Sequence, residues 1–201
     1  MRRILYIDGS NLYGVMTEIL EPGRYLDFSS VLSIIHKDFA YDEVRFYGTY
    51  MRVDEEQSEV RRLMSNTQIE FFNNVRQCDK VIFIEGHFSR ATGKEKGVDV
   101  KLAVDISVGA AIHWFDEAMI MTGDADLLYA VQTVKRFNRQ VYMAAFASRF
   151  PFGMVYYVDR RYVYDYNGYF LNKVVPSMKK RPRNIIIREL MPNVGIHMVC
   201  S

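Results

Sequence analysis

Short apolar runs alternate with amphipathic stretches along most of this chain, and that alternation restricts its fold more than any other feature. Arg3 to Ile7 (RILYI) reads as a buried strand, and DGSN follows as a turn, leaving Asp8 at the strand's carboxyl end. Val31, Leu32, Ile34, Ile35 and Phe39 recur at helical spacing within Phe28 to Phe39, with Ser29 or Ser30 as the cap. Glu43 to Tyr50 is a second strand. Asp54 to Phe72 is an amphipathic helix through Val60, Leu63, Met64 and Ile69, and Lys80 to Ile84 is a further strand. GHFSRATGKEKG reads as a loop, Val98 to Phe115 as a long helix, Ala118 to Met121 as a buried strand, Asp126 to Phe137 as a helix, and Val141 to Phe146 as another strand. Strands joined by helical crossovers run parallel, because the right-handed strand–helix–strand unit is the connection that packs back onto its sheet. The expected class is therefore α/β, in three layers, with a mostly parallel central sheet covered on both faces.

Beyond Ala147 the pattern changes. Ten of the twenty-five residues from Phe146 to Phe170 are aromatic, and this stretch reads as a cap that runs into MKKRPR (Met178–Arg183) and then IIIREL. The division expected is 1–150 as the main domain and 151–201 as an extension packed on it or appended to it.

Composition narrows the function classes. A chain of 201 residues suits one core, and 49% hydrophobic with 25% charged residues excludes disorder as the main state. No apolar run approaches the ~18–20 residues of a bilayer crossing, and MRRILYIDGSN passes from two arginines straight into a strand, so neither an anchor nor a signal peptide is expected. Cys78 and Cys200 lack partner spacing, which removes a disulfide framework or a CxxC metal site and makes a reducing, cytoplasmic setting the default. The net charge of +2 does not by itself announce nucleic acid.

In open parallel sheets, ligands bind outside the carboxyl ends of the strands. Asp8 follows the first strand there, and Asp124 and Asp126 follow AMIM while opening the next helix. At 100° per residue, Asp99, Leu102, Ala103, Ile106, Ala110 and His113 share one stripe of the long helix, so Asp99 begins a mostly apolar face. Taken singly, Asp124 or Thr122 is a helix cap and Asp8 is ordinary turn chemistry. Taken together, four carboxylates at one edge need a cation to offset their repulsion. Asp105 lies 240° around the helix from Asp99 and one turn after Lys101, which suits a solvated ion pair. Oxygen ligands without clustered His or Cys select a hard cation, Mg²⁺ or Mn²⁺, and such ions suit phosphodiester hydrolysis. Setting the four aspartates aside leaves a net charge of +6, so a polyanion can approach.

YIDGSNLY (Tyr6–Tyr13), EKGVDVKLAVD (Glu95–Asp105) and MTGDADLLYAV (Met121–Val131), in that order and spacing, resemble the NYN domain, a branch of the PIN-like nuclease superfamily that includes the LabA-like proteins. The resemblance covers about residues 3–146. It implies a Rossmann-like PIN fold in which aspartates bind Mg²⁺ or Mn²⁺ for RNA cleavage. Asp8, Asp99, Asp124 and Asp126 match the family's acidic pocket, and Asn11 matches the polar residue after the first strand. Asp105 matches the acidic position that often closes the KGVD motif, and is kept as a second-tier acid.

Arg90, Lys94 and Lys96 precede Asp99 in a glycine-containing loop that either steers phosphates or is simply solvated. Lys179, Lys180 and Arg181, with Arg183, are either a backbone-binding arm or a soluble linker. The aromatics after Phe146 either stack unpaired bases of single-stranded RNA or belong to the core or to a homo-oligomer interface. His36, His87, His113 and His197 show no ligand spacing. The leading expectation is a metal-dependent ribonuclease with Asn11 orienting a water or carboxylate. Two rivals stay open. One is a haloacid-dehalogenase-like phosphatase, whose second acid two positions after the nucleophile is here Ser10. The other is a non-catalytic RNA-binding or scaffolding module.

Overall fold

The computed structural model describes residues 1–51, 58–88, 95–166, 185–190 and 196–198. Its centre is one seven-stranded sheet made of β1 (Arg3–Asp8), β3 (Glu43–Gly48), β4 (Val81–Glu85), β7 (Glu117–Met121), β8 (Gln140–Phe146), β9 (Arg160–Tyr166) and β10 (Ile185–Leu190), in the order β10-β9-β8-β7-β1-β3-β4. Every neighbouring pair in it is parallel. The helices are α1 (Gly9–Ile19), α2 (Phe28–Asp38), α3 (Glu59–Gln77), α4 (Val98–Ala111) and α5 (Leu128–Arg136). Two small antiparallel pairs sit outside the sheet: β2 (Arg24–Leu26) with β11 (Ile196–Met198), and β5 (His87–Phe88) with β6 (Glu95–Lys96).

Alternation along the strands assigns the two cores. In β1, Leu5 and Ile7 face a cluster with Leu12, Val15 and Met16 of α1, Ile35 of α2 and Phe71 and Phe72 of α3. Ile4 and Tyr6 face the opposite cluster, with Leu102 and Ile106 of α4 and Val131 and Val134 of α5. The sheet is thus doubly wound: α1, α2 and α3 lie on one face, α4 and α5 on the other. Among the described residues, no helix is long and apolar enough to cross a membrane.

Several local expectations change. The DGSN turn is instead the start of α1, because Asp8 caps that helix by accepting the Asn11 amide. The cap of α2 is Asp27, whose carboxylate accepts from the Ser30 amide and both serine hydroxyls, so Ser29 and Ser30 serve the cap as donors. The long helix stops at Ala111 rather than Phe115: His113 adopts φ 58° and the Trp114 amide turns back to the Gly109 carbonyl at 2.8 Å. In the loop before α4, His87 and Phe88 pair with Lys96 and Glu95. The segment after Phe146 first makes 3-10 turns at Ala147–Arg149 and Phe152–Tyr157, then extends the sheet as β9. There Tyr162 and Tyr164 join one core and Val163 the other, with Phe150, Met154 and Val155, so much of the aromatic stretch is interior.

Candidate active site

From central β1 the chain winds one way to β3 and β4, and later the other way through β7 and β8. The helix after β1 and the helix after β7 therefore cover opposite faces, and a crevice opens between the carboxyl ends of these two strands. Asp8 ends β1 in that crevice, and its residue is only 3% exposed. One carboxylate oxygen accepts the Asn11 amide at 2.9 Å, and the other accepts the Thr122 hydroxyl at 2.9 Å. Thr122 follows β7 directly, and its oxygen in turn accepts the Asp124 amide at 2.9 Å. Asn11 returns the connection from α1 by accepting the Gly123 amide at 3.0 Å. A side chain on Gly123 would run into the Arg149 backbone and the Asn11 amide oxygen, so glycine permits this closeness.

Asp124 caps the 3-10 turn Ala125–Leu127 by accepting the Asp126 amide at 2.8 Å, so the capping reading of Asp124 is correct and coexists with its place in the crevice. Asp126 stands exposed on that turn. Thr122 is not the cap of that turn; its hydroxyl joins Asp8 to the loop after β7. Asp99 is in the first turn of α4, exposed, where Gly97 at φ +85° bends the chain in from β6. Burial pushes the Asp8 carboxyl up to about 6; the hydrogen bonds from Asn11 and Thr122 oppose this, and the charges of Asp99 and Asp124 add to it.

The structure thus brings Asp8, Asn11, Asp99 and Asp124 to one edge, with Asp126 beside them. Among the described residues, no three carboxylate, histidine or cysteine side chains already stand at metal-holding spacing. The donors brought together are oxygens, a set that fits Mg²⁺ or Mn²⁺ and not a thiolate-bound metal.

Asp105 has a different place from the one expected. Instead of a solvated pair with Lys101, it is half-buried against β3, accepting the Tyr47 hydroxyl at 2.7 Å and the Arg45 guanidinium at 3.2 Å. Arg45 also stacks over Trp114 at 3.9 Å, and Lys101 donates to the Glu85 carbonyl at 2.7 Å. Asp105 therefore braces α4 on the sheet. Of the basic residues, Lys96 lies in β6 in register with His87, whereas Arg90, Lys94, Lys179, Lys180 and Arg181 fall outside the described residues.

Sequence reasoning missed two neighbours. Thr49, just past β3, is buried beside Gly86 and Val98 with no hydrogen-bond partner for its hydroxyl among the described residues. Arg149 lies over Gly14 of α1 and pairs with Glu18. Thr49 had a readable signal, a polar residue at a strand's carboxyl end; Arg149 had none, since its partner is far away in sequence.

No curated protein matches the chain. Among solved structures it is similar to the crystal structure of a protein of unknown function from Vibrio parahaemolyticus, with a TM-score of 0.58, 15% identity, and coverage of 81% of this chain and 91% of that one. That likeness supports the Rossmann-like PIN fold. The NYN domain family matches residues 2–165, which span β1 to β9 and every residue of the crevice. The family lies within the PIN-like nuclease superfamily, and this chain belongs to the NYN domain family.

Proposed function

We propose that the chain is a metal-dependent ribonuclease that hydrolyses phosphodiester bonds of single-stranded RNA. One observation carries this reading: Asp8 is a buried carboxylate at the switch point of a parallel sheet, under the like charges of Asp99 and Asp124. Burying a carboxylate under like charges costs free energy, and a bound cation offsets that cost. Asp8, Asp99, Asp124 and Asp126 are the residues to hold Mg²⁺ or Mn²⁺, which when bound supplies charge neutralisation and a water of lowered pKa. The protein's own groups fix the arrangement. Thr122 and the Asn11 amide hold both oxygens of Asp8, and the Asn11 side chain keeps the 122–124 loop against α1. The phosphatase alternative is disfavoured because Ser10, on the first turn of α1, stands where a second acid is required.

The test is an assay of purified protein on single-stranded RNA with Mn²⁺, Mg²⁺ or EDTA. Cleavage in the presence of metal and none in EDTA is the expected result. Undiminished cleavage after exhaustive dialysis against chelator contradicts metal dependence, and RNA binding with no cleavage under any metal supports a non-catalytic module.

A further inference from the structure

We propose that Arg149 is the seat for one phosphate of a single nucleic-acid strand, the phosphate next to the one at the acidic crevice, and that Glu18 is the counterion this phosphate displaces. The inference rests on the nuclease reading for the identity of the ligand and deepens it with a second anchoring point. Two observations put Arg149 at the rim of the crevice. A Cβ on Gly123 would meet the Arg149 carbonyl at 2.5 Å, the Arg149 Cβ at 2.8 Å and Asn11 Oδ1 at 3.0 Å, so Arg149 and Asn11 close on the same point of the loop that leads to Asp124. The guanidinium then lies on α1 at Gly14, where a Cβ would meet Nη1 at 2.8 Å. Asn11, Gly14 and Glu18 fall within about 60° of one another around the helix, so Asn11 and the guanidinium share one face of α1.

The seat is built into the helix. Glycine is the poorest helix former after proline, yet Gly14 stands in the interior of α1, and its missing side chain is the space the guanidinium fills. The ion pair that occupies this seat is a weak one. Nε and Nη2 both donate to one oxygen of Glu18, Nε at 3.1 Å, in place of a two-oxygen fork, and the side chains are 35% and 42% exposed. Exposed pairs of this kind hold little free energy, so a phosphate takes over the guanidinium at small cost.

The ligand follows from charge and distance. A guanidinium presents its donors in a planar fork that matches phosphate oxygens. Gly14 stands ~9 Å along the helix from the Asp8 cap, so the guanidinium there is apart from a phosphate held at the carboxylates and suits the neighbouring one on an extended strand. On the α4 side the cations are turned elsewhere: Arg45 to Glu43 and Asp105, and Lys101 to the Glu85 carbonyl.

Fluorescence anisotropy of labelled oligouridine, titrated with the full chain in Ca²⁺ over a range of salt, tests this. Arg149→Gln should weaken binding about tenfold and lower the log–log salt slope by about 0.7, the value of one single-strand phosphate contact. Glu18→Gln should tighten binding about threefold, because it releases the guanidinium. A mere brace between α1 and the 147–149 turn predicts that both substitutions lower the melting temperature and shift binding in the same direction. That result overturns the proposal, as does binding that neither substitution moves, or a natural chain that does not bind oligouridine. Should Arg149→Gln fail to fold, Gly14→Ala decides: it pushes the guanidinium off the helix, so affinity should fall while the melting temperature holds or rises, and unchanged affinity rejects the seat. Cleavage with Mn²⁺ keeps the two readings apart. Arg149→Gln should cost far more kcat/KM on oligouridine than on the dinucleotide UpU, whose single phosphate occupies the crevice alone, and an equal loss on both puts Arg149 at the scissile phosphate, against the proposal. Opposite affinity shifts in Arg149→Gln and Glu18→Gln without cleavage in any metal support the seat and reject the nuclease; cleavage with unshifted affinities does the converse.

Discussion

Thr122 and Asp8, 114 residues apart in sequence, meet through a 2.9 Å hydrogen bond in which the threonine hydroxyl donates to the carboxylate. The same hydroxyl accepts the Asp124 amide, so its single proton is committed to Asp8 and its direction is fixed. Thr122→Val removes the donor and leaves the Asp124 amide unsatisfied. The expected outcome is a loss in kcat of about 10–100-fold with the fold retained, and an acid limb of the pH–rate profile moved to higher pH. Thr122→Ser should restore both, and a profile that does not move with the valine variant rejects this role.

Asp99 and Asp105 share a helix and should respond oppositely to amide substitution. Asp99→Asn removes a like charge near Asp8, so metal-free stability should hold or rise while activity falls by orders of magnitude. Asp105→Asn weakens the contacts with Arg45 and Tyr47, so it should cost about 1–3 kcal/mol of stability and change turnover little. Urea titrations beside single-turnover cleavage separate the two, and equal loss of turnover at both positions contradicts the assignment.

Metal-free protein should become less stable as pH rises through the weakly acidic range. The folded chain holds the Asp8 proton to about 6, against about 3.9 when unfolded, so this group's contribution is fully present below the unfolded value and is lost by pH 6 or so. The difference amounts to about 3 kcal/mol for this buried group. Asp27 works the other way: although burial pushes it up, the Ser29, Ser30 and Asn74 donors hold it well below the carboxylate range, so its contribution is lost only as pH falls further. Unfolding at about pH 5 and about pH 7 in chelator measures the Asp8 effect, and Asp8→Asn should flatten it.

Divalent metal should reverse that penalty. An ion that binds only the folded chain stabilises it by RT ln(1 + [L]/Kd), or ~2.7 kcal/mol at a hundredfold excess over Kd. Thermal melts with millimolar Mn²⁺ or Mg²⁺ should shift upward in the natural chain and much less in Asp8→Asn. A Tm that metal leaves unmoved contradicts occupancy of the crevice.

Where local chemistry decides structure, the sequence was readable. The apolar runs of β1, β3, β7 and β8, and the rule that parallel strands gather ligands at their carboxyl ends, put Asp8 and Asp124 at one edge before any coordinates. The stripe Leu102, Ile106 and Ala110 is buried as its spacing implies, while Asp99 at its beginning is exposed. Long-range partners were not readable. Nothing near Asp105 in sequence points to Arg45 and Tyr47, and a hydroxyl after a strand looks like a cap until Asp8 is known to face it. DGSN misleads for a physical reason: Asp followed by Gly serves a turn and a helix N-terminus equally well. The alternation in RYVYDY was a strand signal hidden by the density of aromatics around it.

The pairing of β1 with β7 has a consequence for how the protein comes into being. β1 and Asp8 are translated well before β7, yet the sheet position beside them and the hydroxyl that holds the carboxylate are supplied only once Thr122 has been made. Contacts of such large sequence separation form late and close slowly. The crevice therefore cannot exist on a nascent chain that stops short of Thr122: its two walls meet only once β7, the fourth of the seven sheet strands in chain order, has been made.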